Sequence, residues 1–568
     1  MMRCLAFPAC LLLCLSPATA QLRYAPSEFI EFSKRAPVYA KNGMVATSQP
    51  LVSQIALQIL KDGGNAVDAA IAANAAIGLM EPTGSGIGGD LFALVWSAEE
   101  ETLFALNASG RAPLGISREK IMAQGYKAMK RDSPHSVTVP GTVDGWFMLH
   151  EKFGTVEMED LLAPSIAYAE EGFPLSPMVG WLMEGQVRSL HEEGFPNIEA
   201  TYKQEDGNWP GGGELFKNPM LANTYRQIAR EGREAFYRGP IAEAIVELIQ
   251  DQGGYLSMED LARHHGDWVV PVSTSYRGYD LWEIPPNGQG IAALQILNIL
   301  ETFDFSGIEF GSAEHLHLFI EAKKLAYEDR ARYYADPEYE EVPVDWLISK
   351  AYARERAQLI DMDRAGTFES GDLPAHGDTI YLTTADSAGN MVSLIQSNYT
   401  GMGGGMVPAN TGFMLQNRGY AFSLKEGHRN VIEPGKRPFH TIIPAFVTKD
   451  GKPFFSYGVM GGSMQPQGHV QVLVNIVDFG MNPQEAGDAP RIRHEDSSSP
   501  EGMPAKGSGV VHLEKGFDAG VTKELYFKRH KIQETLFFGG YQGILWNDEE
   551  GVYTGATESR SDGQAVGY

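Results

Sequence analysis

Two runs of strand-forming residues, Thr379-Ile-Tyr-Leu-Thr-Thr-Ala385 and Met391 to Ser397, flank the loop Asp386-Ser-Ala-Gly-Asn390. This order commits that part of the chain to a β-hairpin. Symmetric pairing across the loop sets Ala385 against Met391, and continued outward it sets Thr379 opposite Ser397. Two hydroxyls then face one another where the first strand begins. His376-Gly377-Asp378 forms a polar turn that delivers Thr379 into the first strand position. If the bond before such a threonine is cut, its freed α-amine becomes a base for its own hydroxyl. A Gly-Asp turn before an ordinary hairpin looks the same, so the strand alone does not decide the matter.

The rest of the chain sets the hairpin in a larger fold. Helical patterns cover Leu51 to Leu60 and the alanine-rich Asn65 to Met80. Asp90 to Trp96 and Thr102 to Asn107 read as paired strands. From Gly141 to about Ile360 helices predominate, among them Met158 to Glu171, Ile241 to Asp251, Ile291 to Thr302 and Ala313 to Tyr334. Gly366 to His376 is polar and aperiodic, as an exposed linker would be. Beyond Thr379 strands are expected at Gly412 to Leu415, Thr441 to Val447 and Pro453 to Val459, with one helix from about Gln465 to Phe479. A helix-rich part followed by a strand-led part predicts an α+β sandwich.

A basic start, a short apolar run from Cys4 to Leu15 and Ala18-Thr19-Ala20 make residues 1–20 a secretory signal with cleavage before Gln21. That apolar run is too short to span a bilayer. All three cysteines, Cys4, Cys10 and Cys14, fall inside it, so the mature chain has no thiol or disulfide. A periplasmic or secreted protein large enough to need no disulfide staples is the expectation. The formal charge of −26 argues against a nucleic-acid or anionic-membrane surface.

Several motifs are set aside. Gly84-Ser-Gly-Ile-Gly-Gly89 matches G-x-G-x-x-G but follows a helix and precedes a strand, the reverse of the dinucleotide arrangement. Ser117-Arg-Glu-Lys120 has no K-T-G partner. His135, His264, His265 and His376 show no ligand spacing, so no metal and no cofactor is expected. Gly401-Met-Gly-Gly-Gly405 lets backbone approach a ligand closely, as it also lets a plain turn form. Met460-Gly461-Gly462-Ser463, between a strand and a helix, can offer successive amides to an oxyanion or serve as an ordinary turn.

Taken together these motifs resemble the gamma-glutamyltranspeptidase family of N-terminal-nucleophile hydrolases. The resemblance runs through Gly63-Gly-Asn-Ala-Val-Asp-Ala-Ala70, Gly86-Ile-Gly-Gly-Asp90, Pro140-Gly-Thr-Val-Asp-Gly145, the Thr379 strand, Gly389-Asn-Met-Val-Ser393, Gly435-Lys-Arg-Pro438, Gly461-Gly-Ser463, Ala489-Pro-Arg491 and Asp562-Gly-Gln-Ala-Val-Gly-Tyr568. It implies a four-layer αββα sandwich and a precursor that cuts itself between Asp378 and Thr379. A large subunit would span residues 21–378 and a small one residues 379–568. Thr379 would be nucleophile and, through its amine, base; Ser397 would support it, and Gly461 and Gly462 would form the oxyanion hole. The implied activity is that of a gamma-glutamyltransferase or glutathione hydrolase, which passes the acyl group of a small amide to water or to an amino acid or peptide amine. A glutaryl or cephalosporin-type acyl amidase and an unprocessed, inactive binding homologue are the alternatives.

The substrate pocket departs from the family pattern. The arginine for a glutamyl α-carboxylate aligns with Ser109, and Arg111 lies two residues later. An asparagine that holds the glutamyl group aligns with Tyr399, the amine-binding glutamine and aspartate with Arg418 and Ala421, and paired serines with His440 and Thr441. An α-ammonium needs an acceptor or a counter-charge, and Arg418 reverses the local sign. Either acyl groups with a carboxylate and no amine, such as glutaryl, fit as well as γ-glutamyl or better, or these positions are shifted and another acidic residue supplies the counter-charge.

Overall fold

The computed structural model describes residues 35–368, 378–535 and 537–568. The expected signal, most of the expected linker, and His376 and Gly377 lie outside the described residues. Two mixed-origin sheets of seven strands each form the centre. The first runs in the order Gln564–Gly567, Met44–Thr47, Asp378–Ala385, Met391–Tyr399, Asp90–Ser97, Thr102–Ala108, Asp267–Val269. The second runs Val38–Ala40, Val552–Thr557, Tyr541–Asn547, Lys452–Val459, Ala445–Lys449, Tyr279–Glu283, Val272–Tyr276. Each sheet takes strands from both sides of Thr379, so the helix-rich and strand-led parts are interleaved rather than separate bodies.

The two sheets meet face to face. Asp378–Ala385 touches both Lys452–Val459 and Tyr541–Asn547. The Tyr381 ring lies where a side chain on Gly458 would be, 2.4 Å from its ideal Cβ. Thr383 and Ser456 join their hydroxyls across the interface at 2.7 Å, and Ser393 donates to Ala445 O at 2.9 Å. Polar atoms so deep in a core are tolerated because they satisfy one another.

Helices Pro50–Lys61 and Ala66–Met80 pack together, and the second lies on the central strands of the first sheet. Every residue of Ala66–Met80 is buried. Its alanines bring backbone close to the sheet, and Asn65 and Asp68 form a capping box that fixes where it starts. Asp386, at the hairpin loop, accepts from Ala66 N at 2.9 Å and so ties that helix start to the end of the Thr379 strand. Helices Ile291–Leu300 and Gln465–Val477 lie against each other and against strands of the second sheet. Among the described residues no helix is long and apolar enough to cross a membrane.

Two expected strands need correction. Gly412 to Leu415 is irregular: Leu415 N donates to Met406 O and Gly404 N to Leu415 O. The glycine loops claim its backbone, since an added Cβ on Gly88 would lie 2.2 Å from Met414 O and one on Gly403 2.3 Å from Leu415 O. Thr441 to Ile443 is likewise irregular, and the strand there is Ala445–Lys449.

Candidate active site

The hairpin pairs Ala385 with Met391 and keeps that register out to Ile380 with Gln396. It then breaks, with Asp378 opposite Tyr399. A register break at the first residues of a strand re-aims a side chain, as bulges beside active sites do. Thr379, only 6% exposed, donates its hydroxyl to Ser397 Oγ at 3.3 Å. Gln465, the first residue of helix Gln465–Val477, donates Nε2 to Thr379 Oγ1 at 3.3 Å. Its Oε1 accepts from Ile443 N at 2.9 Å, which fixes the orientation of the amide. Gly84 lies against the Thr379 backbone: an added Cβ there would sit 3.2 Å from Thr379 N. The glycine run read above as a false dinucleotide motif therefore lets backbone press against the start of the hairpin's first strand.

Ser397 Oγ also accepts from Tyr399 N at 2.8 Å and from Arg418 Nη2 at 3.3 Å. Arg418 is fully buried and donates Nη1 to Thr441 Oγ1 at 2.8 Å. Its guanidinium carbon lies 4.0 Å from the Tyr399 ring centroid, a cation–π distance. Among the described residues its Nε has no hydrogen-bond partner and no carboxylate is paired with it. Burial pulls this guanidinium down to about 10, which leaves it cationic at neutral pH. Tyr399 takes a left-handed φ of 81°, and its hydroxyl is 3.5 Å from Glu501 Oε1. Burial raises the Glu501 carboxyl above its ordinary value, against the opposing hydrogen bond from Ser499.

Beneath Ser397, on the neighbouring strand, lies Asp90. Its Oδ1 accepts from Gly110 N at 2.8 Å and Gln416 Nε2 at 3.0 Å, and its Oδ2 meets His440 Nε2 at 3.0 Å. His440 Nδ1 accepts from Ile442 N at 3.3 Å, so Nε2 carries the proton and the ring is neutral. Burial first, then Arg418, holds its pKa down to about 4. Asp90 and His440 are both fully buried, and their bonds brace the strand pair that carries Ser397. Asp90→Ala would strand three buried donors, and we expect it to lower unfolding free energy by about 3–5 kcal/mol. Asp90→Asn, which keeps an acceptor, should recover part of that loss in the same denaturant titration.

The strand Lys452–Val459 and the helix Gln465–Val477 are joined by Met460-Gly461-Gly462-Ser463-Met464. Gly461 and Gly462 have φ of 111° and 57°, a turn that side-chain-bearing residues rarely adopt. Among the described residues neither glycine amide has an acceptor. The expected Arg111 lies elsewhere, in a cleft of about 330 Å³ that it shares with His264, His265 and Tyr339. There its guanidinium is occupied by Glu338 at 2.7 Å and Asp267 at 3.5 Å. Ser109 is buried, with its hydroxyl on Asn107 Oδ1 at 2.7 Å. Thr379, Ser397, Tyr399, Arg418 and Thr441 thus come together with His440 beside Asp90, while the Arg111 guanidinium pairs with Glu338 and Asp267. Sequence reasoning took Gln465 only as the start of a helix, and Asp90 only as the end of a glycine motif and the start of a strand.

One histidine group escaped the sequence reading. His317, Glu321 and His530 bring ligand atoms within 4.8 Å of one another. His317 Nδ1 and His530 Nε2 share a hydrogen bond at 2.8 Å, and Lys324 Nζ is 2.5 Å from Glu321 Oε1. The cluster is closed on itself, with a cation already at the carboxylate.

The geometry now meets its relatives. Residues 52–568 match the gamma-glutamyltranspeptidase family, and the chain belongs to it. It is an enzyme of the N-terminal-nucleophile hydrolase class. The glutathione hydrolase-like YwrD proenzyme of Bacillus subtilis (strain 168) is 36% identical over 528 residues, 92% of this chain and 98% of that protein. The glutathione hydrolase proenzyme of Escherichia coli (strain K12) is 33% identical over 577 residues, 98% of this chain and 97% of that protein. The crystal structure of cephalosporin acylase from Bacillus halodurans superimposes with a TM-score of 0.88 at 43% identity, covering 96% of this chain and 99% of that one.

Proposed function

We propose that this chain is an exported, self-processing amidase that transfers an acyl group through Thr379. Its two facing sheets and the helices outside them make a four-layer αββα sandwich. In processing, Thr379 Oγ attacks the Asp378 carbonyl and the peptide nitrogen leaves as the α-amine of Thr379. Water then hydrolyses the resulting ester, leaving residues 21–378 and 379–568 as large and small subunits. The proenzyme names of two relatives support that step. In turnover, the freed amine takes the hydroxyl proton as Oγ attacks the substrate carbonyl. The amides of Gly461 and Gly462 receive the oxyanion, the amine product leaves with a proton, and water or an acceptor amine releases the acyl group. The observation that carries this reading is the Thr379 hydroxyl, held between Ser397 and Gln465 at a break in strand register.

The acyl group that the geometry favours ends in a carboxylate without an ammonium. Arg418 is a buried cation one hydroxyl away from Thr379, and among the described residues its Nε is unpartnered. A charge-assisted bond to a carboxylate would satisfy it. The likeness to a cephalosporin acylase supports the same class. The second reading is γ-glutamyl, supported by the relatives named glutathione hydrolase and by Glu501, a carboxyl beside Tyr399 that an α-ammonium would pair with. Glutaryl and γ-glutamyl p-nitroanilides separate the two. We expect kcat/KM to favour the glutaryl substrate by about tenfold or more, since ~1.4 kcal/mol of differential binding gives that ratio. A clear γ-glutamyl preference rejects the carboxyacyl reading and leaves Thr379 chemistry standing.

A further inference from the structure

A pair of glycines can make the turn at Gly461-Gly462, and it can make many others as easily. Something outside the pair must choose. Gln289 Nε2 donates to Gly462 O at 2.8 Å and to Thr441 O at 2.7 Å. Gln289 is fully buried in the loop between strand Tyr279–Glu283 and helix Ile291–Leu300. Its Oε1 accepts from Arg330 Nη1 at 2.6 Å. The amide cannot turn over, because a guanidinium needs the oxygen on one side and two carbonyls need both N–H groups on the other.

Arg330 is itself held, with its guanidinium carbon 3.8 Å from the Tyr327 ring centroid and 5.5 Å from that of Phe439. Tyr327 donates its hydroxyl to the next carbonyl, that of Ser463. Gly461 O is taken by Met464 N at 2.9 Å. Because peptide units are planar, the hold of Met464 on Gly461 O sets where Gly462 N–H points, and the hold of Gln289 on Gly462 O fixes the peptide unit on the other side of Gly462, so that the residue is clamped from both sides. Thr441, the other carbonyl held by Gln289, is the residue whose hydroxyl receives Arg418.

We infer that Gln289, oriented by Arg330, is a positioning residue that sets the Gly461-Gly462 turn and Thr441 relative to Thr379. It acts from the segment that processing separates from the nucleophile, so the large subunit completes the oxyanion site of the small one. This rests on the reading that those glycine amides receive the oxyanion.

The test is Gln289→Met in the full chain, purified after cleavage, with active sites counted from the acyl-enzyme burst. We expect kcat per site to fall roughly 10- to 100-fold, less than or equal to the loss of an oxyanion donor itself. KM should stay within about twofold. A phosphonate analogue of the tetrahedral intermediate should lose affinity by the same factor as kcat/KM. A merely structural side chain would reduce the number of active sites and leave kcat per site and analogue affinity unchanged, and that result overturns the inference. If Gln289→Met does not accumulate, Arg330→Lys and Arg330→Met decide. Lysine keeps a donor to Oε1 and should retain more than half of kcat, whereas methionine should not; equal values in the two overturn the inference. Failure of the underlying function would show differently, as turnover persisting in Thr379→Ala.

Discussion

Thr379→Ala protein is expected to migrate as one uncut chain on a denaturing gel and to hydrolyse neither anilide. Removing the nucleophile of an acyl-transfer enzyme lowers kcat by about 10⁴-fold or more, which places the variant at background. The fold should survive the change. Thr379 is at the start of its strand, and Ser397 keeps its bonds from Tyr399 N and Arg418 when the threonine hydroxyl is gone. Thr379→Ser, which retains a hydroxyl and a future α-amine, should still be cut and still turn over. That contrast separates chemistry from packing. N-terminal sequencing of the active wild-type protein should find a fragment that starts Thr-Ile-Tyr-Leu. Cleavage at Asp378–Thr379 in the alanine variant would remove self-processing from the account.

The hairpin was legible because its loop length allows one symmetric register, which holds from Ala385–Met391 out to Ile380–Gln396 without any tertiary information; beyond the break Thr379 still reaches Ser397 through its hydroxyl. Helix Met158–Glu171 was legible to the residue, and Ala66–Met80 nearly so, since Asn65 announces its start and Glu81-Pro82 its end. Gly412 to Leu415 misled because its apolar run signals burial, and burial alone cannot say whether backbone partners are strands or glycine loops. Closeness in sequence to Ser109 did not reveal which partners the Arg111 side chain takes. The chain turns there, so that two residues of separation place its guanidinium among Glu338 and Asp267. Gln465 and Gln289 gave no sequence signal of their roles. Each is a neutral amide whose role depends on which carbonyls and hydroxyls a distant segment presents to it, and that is decided only when the two sheets come together.

Arg418→Met is the sharpest test of what the enzyme acts on. If Arg418 receives the acyl carboxylate, truncating one partner of a buried charge pair costs about 2–5 kcal/mol, so glutaryl kcat/KM should fall by roughly 30- to 5,000-fold. The γ-glutamyl substrate should lose far less, because its ammonium gains from the removal of a nearby cation, and the preference between the two anilides should invert. Stability should not follow activity. In the free protein Arg418 is a buried cation with an unpartnered Nε and no ion pair among the described residues, so replacing it with an apolar side chain of similar length removes a desolvation penalty. The denaturation midpoint should therefore hold or rise while glutaryl turnover collapses, and processing should continue because Thr379 still faces Ser397. Arg418→Lys keeps the charge but not the fork that reaches Ser397 and Thr441 together, and should fall between the two. Unchanged glutaryl kinetics in Arg418→Met would show that the cation supports Ser397 and Thr441 without touching substrate, and the acyl preference would then have to be sought at Glu501.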